Sequence, residues 1–145
     1  MKKRRMQLLA DLKKICAHLK LSFSKVEVVR KAAFALDTSR KKLVLIHEKD
    51  HPYFKTIDLR NIDACTVKVD YKSIEAGDLD EQNMDDFVNK VQLQISQVDS
   101  TKSIGISFYD TDEDNVSELR MLVDKANSWR DKITSILPVK VPIRA

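Results

Sequence analysis

Hydrophobic and polar positions alternate along this chain with two different periods. In residues 6–20, Met6, Leu8, Leu9, Leu12, Ile15, Cys16 and Leu19 recur at steps of three and four, with lysines on the other face. That spacing predicts an amphipathic helix. Residues 21–30, with Phe23, Val26, Val28 and Val29, fit either a strand or a short irregular segment. From Lys31 the period shortens. The apolar runs 31–36 and 42–48 are joined by Asp37-Thr38-Ser39-Arg40-Lys41. Asp, Thr and Ser bond readily to nearby backbone, so this reads as a hairpin. A polar loop at 48–52 with His51-Pro52 leads to a strand at 53–59, and residues 61–63 form a brief break. In 64–74, Cys65, Val67, Val69 and Tyr71 alternate with Thr66, Lys68, Asp70 and Lys72, the two-residue period of a strand. Alternation resumes in 87–98, with Val91, Leu93 and Ile95 against Lys90, Gln92 and Gln94. After a turn at 99–102, residues 103–109 set Ile104, Ile106 and Phe108 on one side.

The longest amphipathic stretch comes last. Val116, Leu119, Leu122, Val123, Ala126, Trp129, Ile133, Ile136 and Leu137 form one stripe at helical spacing, predicting a helix over 115–137. Pro138 is expected to stop it. The aspartates of 110–114 are expected to supply its N-cap and to complement its positive N-terminal end. The predicted fold is α+β: an N-terminal helix, an antiparallel sheet or small barrel of about six to seven strands, and a long C-terminal amphipathic helix covering one sheet face with Trp129 turned inward. The expected division is a basic helix at 1–21, a sheet-plus-helix domain at 22–137 and an extended tail at 138–145.

Size and composition narrow the possibilities. A chain of 145 residues can bury one ordinary core. With only Gly77 and Gly105, it has no glycine-rich loop to cradle a phosphate. The two cysteines, Cys16 and Cys65, follow no metal or redox spacing and read as buried free thiols in a reducing compartment. Charge is strongly segregated. Residues 1–42 hold thirteen Lys and Arg against three acids, a net of +10, whereas 75–118 hold twelve acids against two lysines, a net of −10. A chain polarised in this way can turn its basic part toward an anionic surface. No apolar run approaches the roughly 20 residues of a spanning helix. Lys2-Lys3-Arg4-Arg5 is followed by Asp11, Lys13 and Lys14, which excludes a signal-peptide core. The same cluster resembles the flank on the cytoplasmic side of a transmembrane helix.

The element order of 30–137, closed by a helix bearing Trp129, resembles the pleckstrin-homology superfold. That likeness implies a bent antiparallel barrel stoppered by the last helix. It implies seven strands, against the six that the pattern gives unless 22–29 supplies another. In lipid-binding members the first hairpin is basic and holds phosphates, and Arg40-Lys41-Lys42, preceded by Arg30 and Lys31, matches it in position and charge. A second likeness rests on Phe34-Ala-Leu-Asp37, Lys42-Leu-Val-Leu45, Ile57-Asp-Leu59, Cys65, Tyr71-Lys-Ser-Ile-Glu-Ala-Gly77 and Val141-Pro-Ile-Arg-Ala145. These stretches resemble a group of uncharacterised bacterial proteins with a hydrophobic N-terminal segment before a soluble domain. That resemblance implies a membrane-anchored context and no activity.

The chemistry-bearing residues give little for an enzyme. His47-Glu48 and Asp50-His51 lack a third fixed metal ligand. Asp110, Asp112, Glu113 and Asp114 lack the central glycine and the spaced glutamate of a calcium loop. The carboxylate pairs Asp80/Glu81 and Asp85/Asp86 have no nucleophile or pocket motif beside them. Neither cofactor nor metal is expected. Nucleic acid is disfavoured, because the basic helix carries mostly Lys and no aromatic before Phe23. The expected function is non-enzymatic: a cytoplasmic domain at the inner face of a membrane, tethered by a segment absent from this chain or drawn to anionic lipid by Lys2, Lys3, Arg4, Arg5, Lys13, Lys14, Arg40, Lys41 and Lys42. The alternative is a protein-interaction or self-assembly module that uses a sheet edge or the first helix.

Overall fold

The computed structural model describes residues 2–29, 32–47, 53–73, 87–98 and 103–137, with the side chains of the first helix from Met6 onward. The chain opens with α1 (Lys2–Leu19). Strands β1 (Lys25–Val29), β2 (Ala32–Asp37), β3 (Lys42–His47) and β4 (Tyr53–Asp58) follow. After a 3-10 turn (Leu59–Asn61) come β5 (Ile62–Tyr71), β6 (Val88–Gln97) and β7 (Ser103–Asp110). A second 3-10 turn (Val116–Glu118) runs into α2 (Leu119–Ile136). The α+β class is as the sequence predicts. The expectation of one sheet or a small barrel is corrected: the seven strands form two antiparallel sheets, ordered β1-β2-β3-β4 and β5-β6-β7. The break falls at the 3-10 turn between β4 and β5, where the Asp58 carboxylate caps the turn by accepting the Arg60 N–H at 3.0 Å. The residues divide into two compact units, the first reaching to Ile62 and taking the chain from Ser135, the second Asp63–Thr134.

In the first unit, the segment with two readings becomes β1, the strand missing from the sequence count. Its pairing places Val28 opposite Ala33, and Ala33 lies opposite Ile46 on β3. Leu8 and Leu12 of α1 pack on that face, against Val28, Ala33, Ala35, Val44 and Ile46, with Leu9, Ile15, Leu21 and Phe23 around the rim. Two alanines at the centre leave room for the helix to come close. Burial of each leucine contributes about 1.5–3 kcal/mol. The helix read from sequence as a segment of its own therefore shares a core with the strands that follow it. On the opposite face Phe34, Leu36, Leu43, Leu45 and Ile57 are buried as well. Every residue of β2 is buried, which is why its sequence is apolar from Ala32 to Leu36 instead of alternating, with Asp37 the buried exception at its end. The stripe on α1 is narrower than its periodicity implies, for Met6 is 68% exposed.

α1 ends in a Schellman motif. Leu21 N–H reaches the Cys16 carbonyl at 3.0 Å and Lys20 N–H that of Ala17 at 3.3 Å. The position between, where glycine is usual, is Lys20 with φ 58°.

In the second unit, Val91, Leu93 and Ile95 on β6 and Ile106 and Phe108 on β7 are buried, as alternation predicts. Tyr109 is buried too. Val91 pairs with Tyr109 but Gln92 pairs with Ser107, so a bulge takes up Phe108 and turns two consecutive aromatics inward. On α2 the buried side chains are Leu119, Leu122, Ala126, Trp129 and Ile133, at helical spacing. Trp129 is fully enclosed. Val116, expected in this stripe, lies in the preceding 3-10 turn and is exposed. The N-cap expected from 110–114 is also corrected: Asn115 caps the turn by accepting the Ser117 N–H at 3.0 Å. The aspartates fold the loop on itself instead, Asp114 accepting the Asp110 N–H and Asp110 the Asp112 N–H. Loop 75–86, the turn at 99–102 and the tail 138–145 lie outside the described residues.

Candidate functional site at the hairpin end of the first sheet

The nine cations expected to attract an anionic surface are spread over two elements, α1 and the β2–β3 turn with the first residue of β3. At about 1.5 Å of rise per residue, Lys2, Lys3, Arg4 and Arg5 stand roughly 20–25 Å along α1 from its C-terminal end. Lys13 and Lys14 are exposed on the helix midway. Only Arg40, Lys41 and Lys42 belong to the end of the sheet where α1 stops, β1 begins and β2 turns into β3. Because β1 adds a strand, their turn is the second hairpin and not the first. Arg30 and Lys31, between β1 and β2, lie outside the described residues.

Two aspartates organise this end. Asp37, the last residue of β2, is the one buried charged side chain among the described residues. Its Oδ2 accepts the Ser22 N–H at 2.9 Å and the Arg40 guanidinium at 3.1 Å, and its Oδ1 accepts the Arg40 N–H at 3.0 Å. Burial alone pushes this carboxyl up. The Ser22 N–H, the Arg40 N–H and the guanidinium together outweigh burial and hold it below its ordinary value. One residue thus pins the α1–β1 linker to the β2–β3 turn. Within the turn Lys41 has φ 56°, a left-handed backbone rare for any residue but glycine. Its carbonyl accepts the Leu59 N–H at 2.9 Å, which fastens the turn to the 3-10 segment after β4.

Asp58 is the second organiser. Its Oδ1 accepts from Arg60 Nε at 3.0 Å and its Oδ2 from Arg60 Nη2 at 2.9 Å, a bidentate pair. Lys42 Nζ reaches the same Oδ2 at 3.0 Å. The Arg60 guanidinium, then the Arg60 N–H, then Lys42 hold the Asp58 carboxyl far below the usual carboxylate range. Asp58 in return pushes the Arg60 pKa up.

The resulting end carries Lys20, Lys25, Arg40, Lys41, Lys42 and Arg60 against Asp37 and Asp58, six cations to two carboxylates. The nine residues expected from sequence do not include Lys20, Lys25 or Arg60. Lys20 falls just after the last helical leucine, where a glycine would be expected, and Arg60 stands two residues from an aspartate. Both positions are visible in the sequence, but nothing there shows that the 3-10 turn brings Arg60 to the hairpin.

Other chemistry is sparse. Among the described residues no three His, Cys, Asp or Glu side chains converge to hold a metal ion, and no helix is long and apolar enough to cross a membrane. The side chains of His47 and His51 lie outside the described residues. Cys65 is buried on β5, and burial pushes its thiol up to about 12, against a smaller opposing pull from Arg130 on α2. Cys16 is half-buried and donates its S–H to the Leu21 carbonyl. No protein-family model, curated protein or solved structure matches this chain.

Proposed function

We propose that this protein is a non-enzymatic docking module that settles on an anionic membrane surface through the hairpin end of its first sheet. A four-stranded meander, a three-stranded meander and a closing helix with a buried tryptophan follow the element order of the pleckstrin-homology superfold, which supports that finer assignment. The observation that carries the functional reading is the pair of left-handed residues. Both non-glycine positive-φ positions among the described residues are lysines, Lys20 and Lys41. Both are exposed, and both lie at the same end of one sheet. Glycine would adopt either conformation without strain, so each lysine places a charge at this end at some cost in backbone energy, which supports a role for that charge. Each cation near an anionic leaflet contributes on the order of 1 kcal/mol.

Lys20→Gly and Lys41→Gly are therefore expected to raise unfolding stability slightly, by up to about 1 kcal/mol each. Each should weaken partitioning onto acidic vesicles about fivefold. Urea titration and vesicle sedimentation measure the two quantities. Equal binding of the unmodified protein to acidic and neutral vesicles defeats the reading. A second reading, pairing between sheet edges of two copies, is supported by Phe54, 48% exposed on the edge strand β4. Concentration-dependent light scattering tests it.

A further inference from the structure

We infer that Asp58 is a positioning residue that aims Arg60 and Lys42 at phosphate monoester headgroups, a refinement that rests on the docking reading above. The bidentate contact uses Nε and one side of Nη2 of Arg60. A guanidinium has five N–H donors in one plane. Asp58 takes the side edge and leaves the end edge, where Nη1 and Nη2 project together. That edge is a second fork, matched to two oxygens of a phosphate. The Arg60 side chain is 62% exposed, which leaves its guanidinium within reach of a ligand from solvent. Asp58 also fixes the Lys42 ammonium through one donor, leaving two for a third phosphate oxygen. The Lys41–Leu59 backbone bond keeps the turn and the 3-10 segment side by side, so the array is set before any ligand arrives. A phosphate monoester offers three terminal oxygens and up to two charges. A serine headgroup offers a carboxylate and a diester, partly offset by an ammonium.

The test reverses the sign expected of a diffuse basic patch. Asp58→Asn removes a negative charge, which raises the net charge of this end by one. An asparagine oxygen still accepts the Arg60 N–H, so the 3-10 cap survives. Simple attraction predicts tighter binding to every acidic vesicle. The positioning role predicts about fivefold weaker binding to phosphatidic acid vesicles and little change on phosphatidylserine vesicles of matched surface potential. Arg60→Lys, which keeps the charge but not the fork, should lose the same preference. Thermal unfolding checks that both variants fold. The inference is overturned if Asp58→Asn binds phosphatidic acid as tightly as the unmodified protein or more tightly. It is also overturned if inorganic phosphate alone saturates the site in a calorimetric titration, which would make free phosphate the ligand. If the unmodified protein ignores acidic vesicles altogether, the docking reading itself falls, an outcome distinct from either of these.

Discussion

Trp129→Ala is expected to lower the free energy of unfolding by about 4 kcal/mol, the largest loss expected from any single side chain of α2. The indole is completely enclosed, and it sits between Ala126 and Ile133 on the buried stripe of α2. Truncation removes the transfer energy of the ring and leaves a cavity, and an alanine one turn away offers no side chain to fill it. Trp129→Phe, which keeps most of the ring volume, should cost less than half as much. Urea unfolding followed by circular dichroism measures both. In the unmodified protein the single tryptophan is itself a reporter, with blue-shifted emission when folded and red-shifted emission when unfolded. A loss below about 1 kcal/mol for the alanine variant would mean that the second unit does not depend on this ring.

Asp37→Ala should cost about 3 kcal/mol, because it strands two backbone N–H groups and a guanidinium that now share one buried carboxylate. Asp37→Asn should cost less, since one amide oxygen can still accept. The pH dependence follows from the direction of the shift. Asp37 and Asp58 both ionise more readily in the folded chain than at the ordinary value of 3.8. Their contribution is therefore complete above about pH 4 and is lost as the pH falls through their lowered values. Unfolding titrations should show stability dropping below about pH 4, with a shallower drop in Asp37→Asn. A variant with the same acid limb as the unmodified protein would show that Asp37 is not the group responsible.

The sequence was most legible where one face of an element meets solvent. The stripe of α2 and the alternation of β6 could be read directly, because in-and-out periodicity is written into each residue. Legibility failed where that condition failed. β1 looked ambiguous because Val28 and Val29 are both buried, so its end does not alternate. Tyr109 was not expected inside, because a bulge breaks the period there and leaves no mark in the sequence. The site was legible in part: the charge of Arg40, Lys41 and Lys42 was evident, and the turn was placed correctly. Their partners were not, since Asp37 and Asp58 act through a fifteen-residue reach to Ser22 and a cross-strand meeting with Lys42, distances set by the fold.

The two thiols have a practical consequence. Cys16 belongs to the first unit and Cys65 to the second. Cys65 is shut away and reluctant to ionise, so a disulfide reagent can reach it only when its strand comes loose. Labelling kinetics on the Cys16→Ser variant would therefore clock the opening of the strand that carries Cys65, with no probe added to the chain, whereas the half-buried Cys16 of the Cys65→Ser variant supplies the rate of a thiol that the reagent reaches more readily.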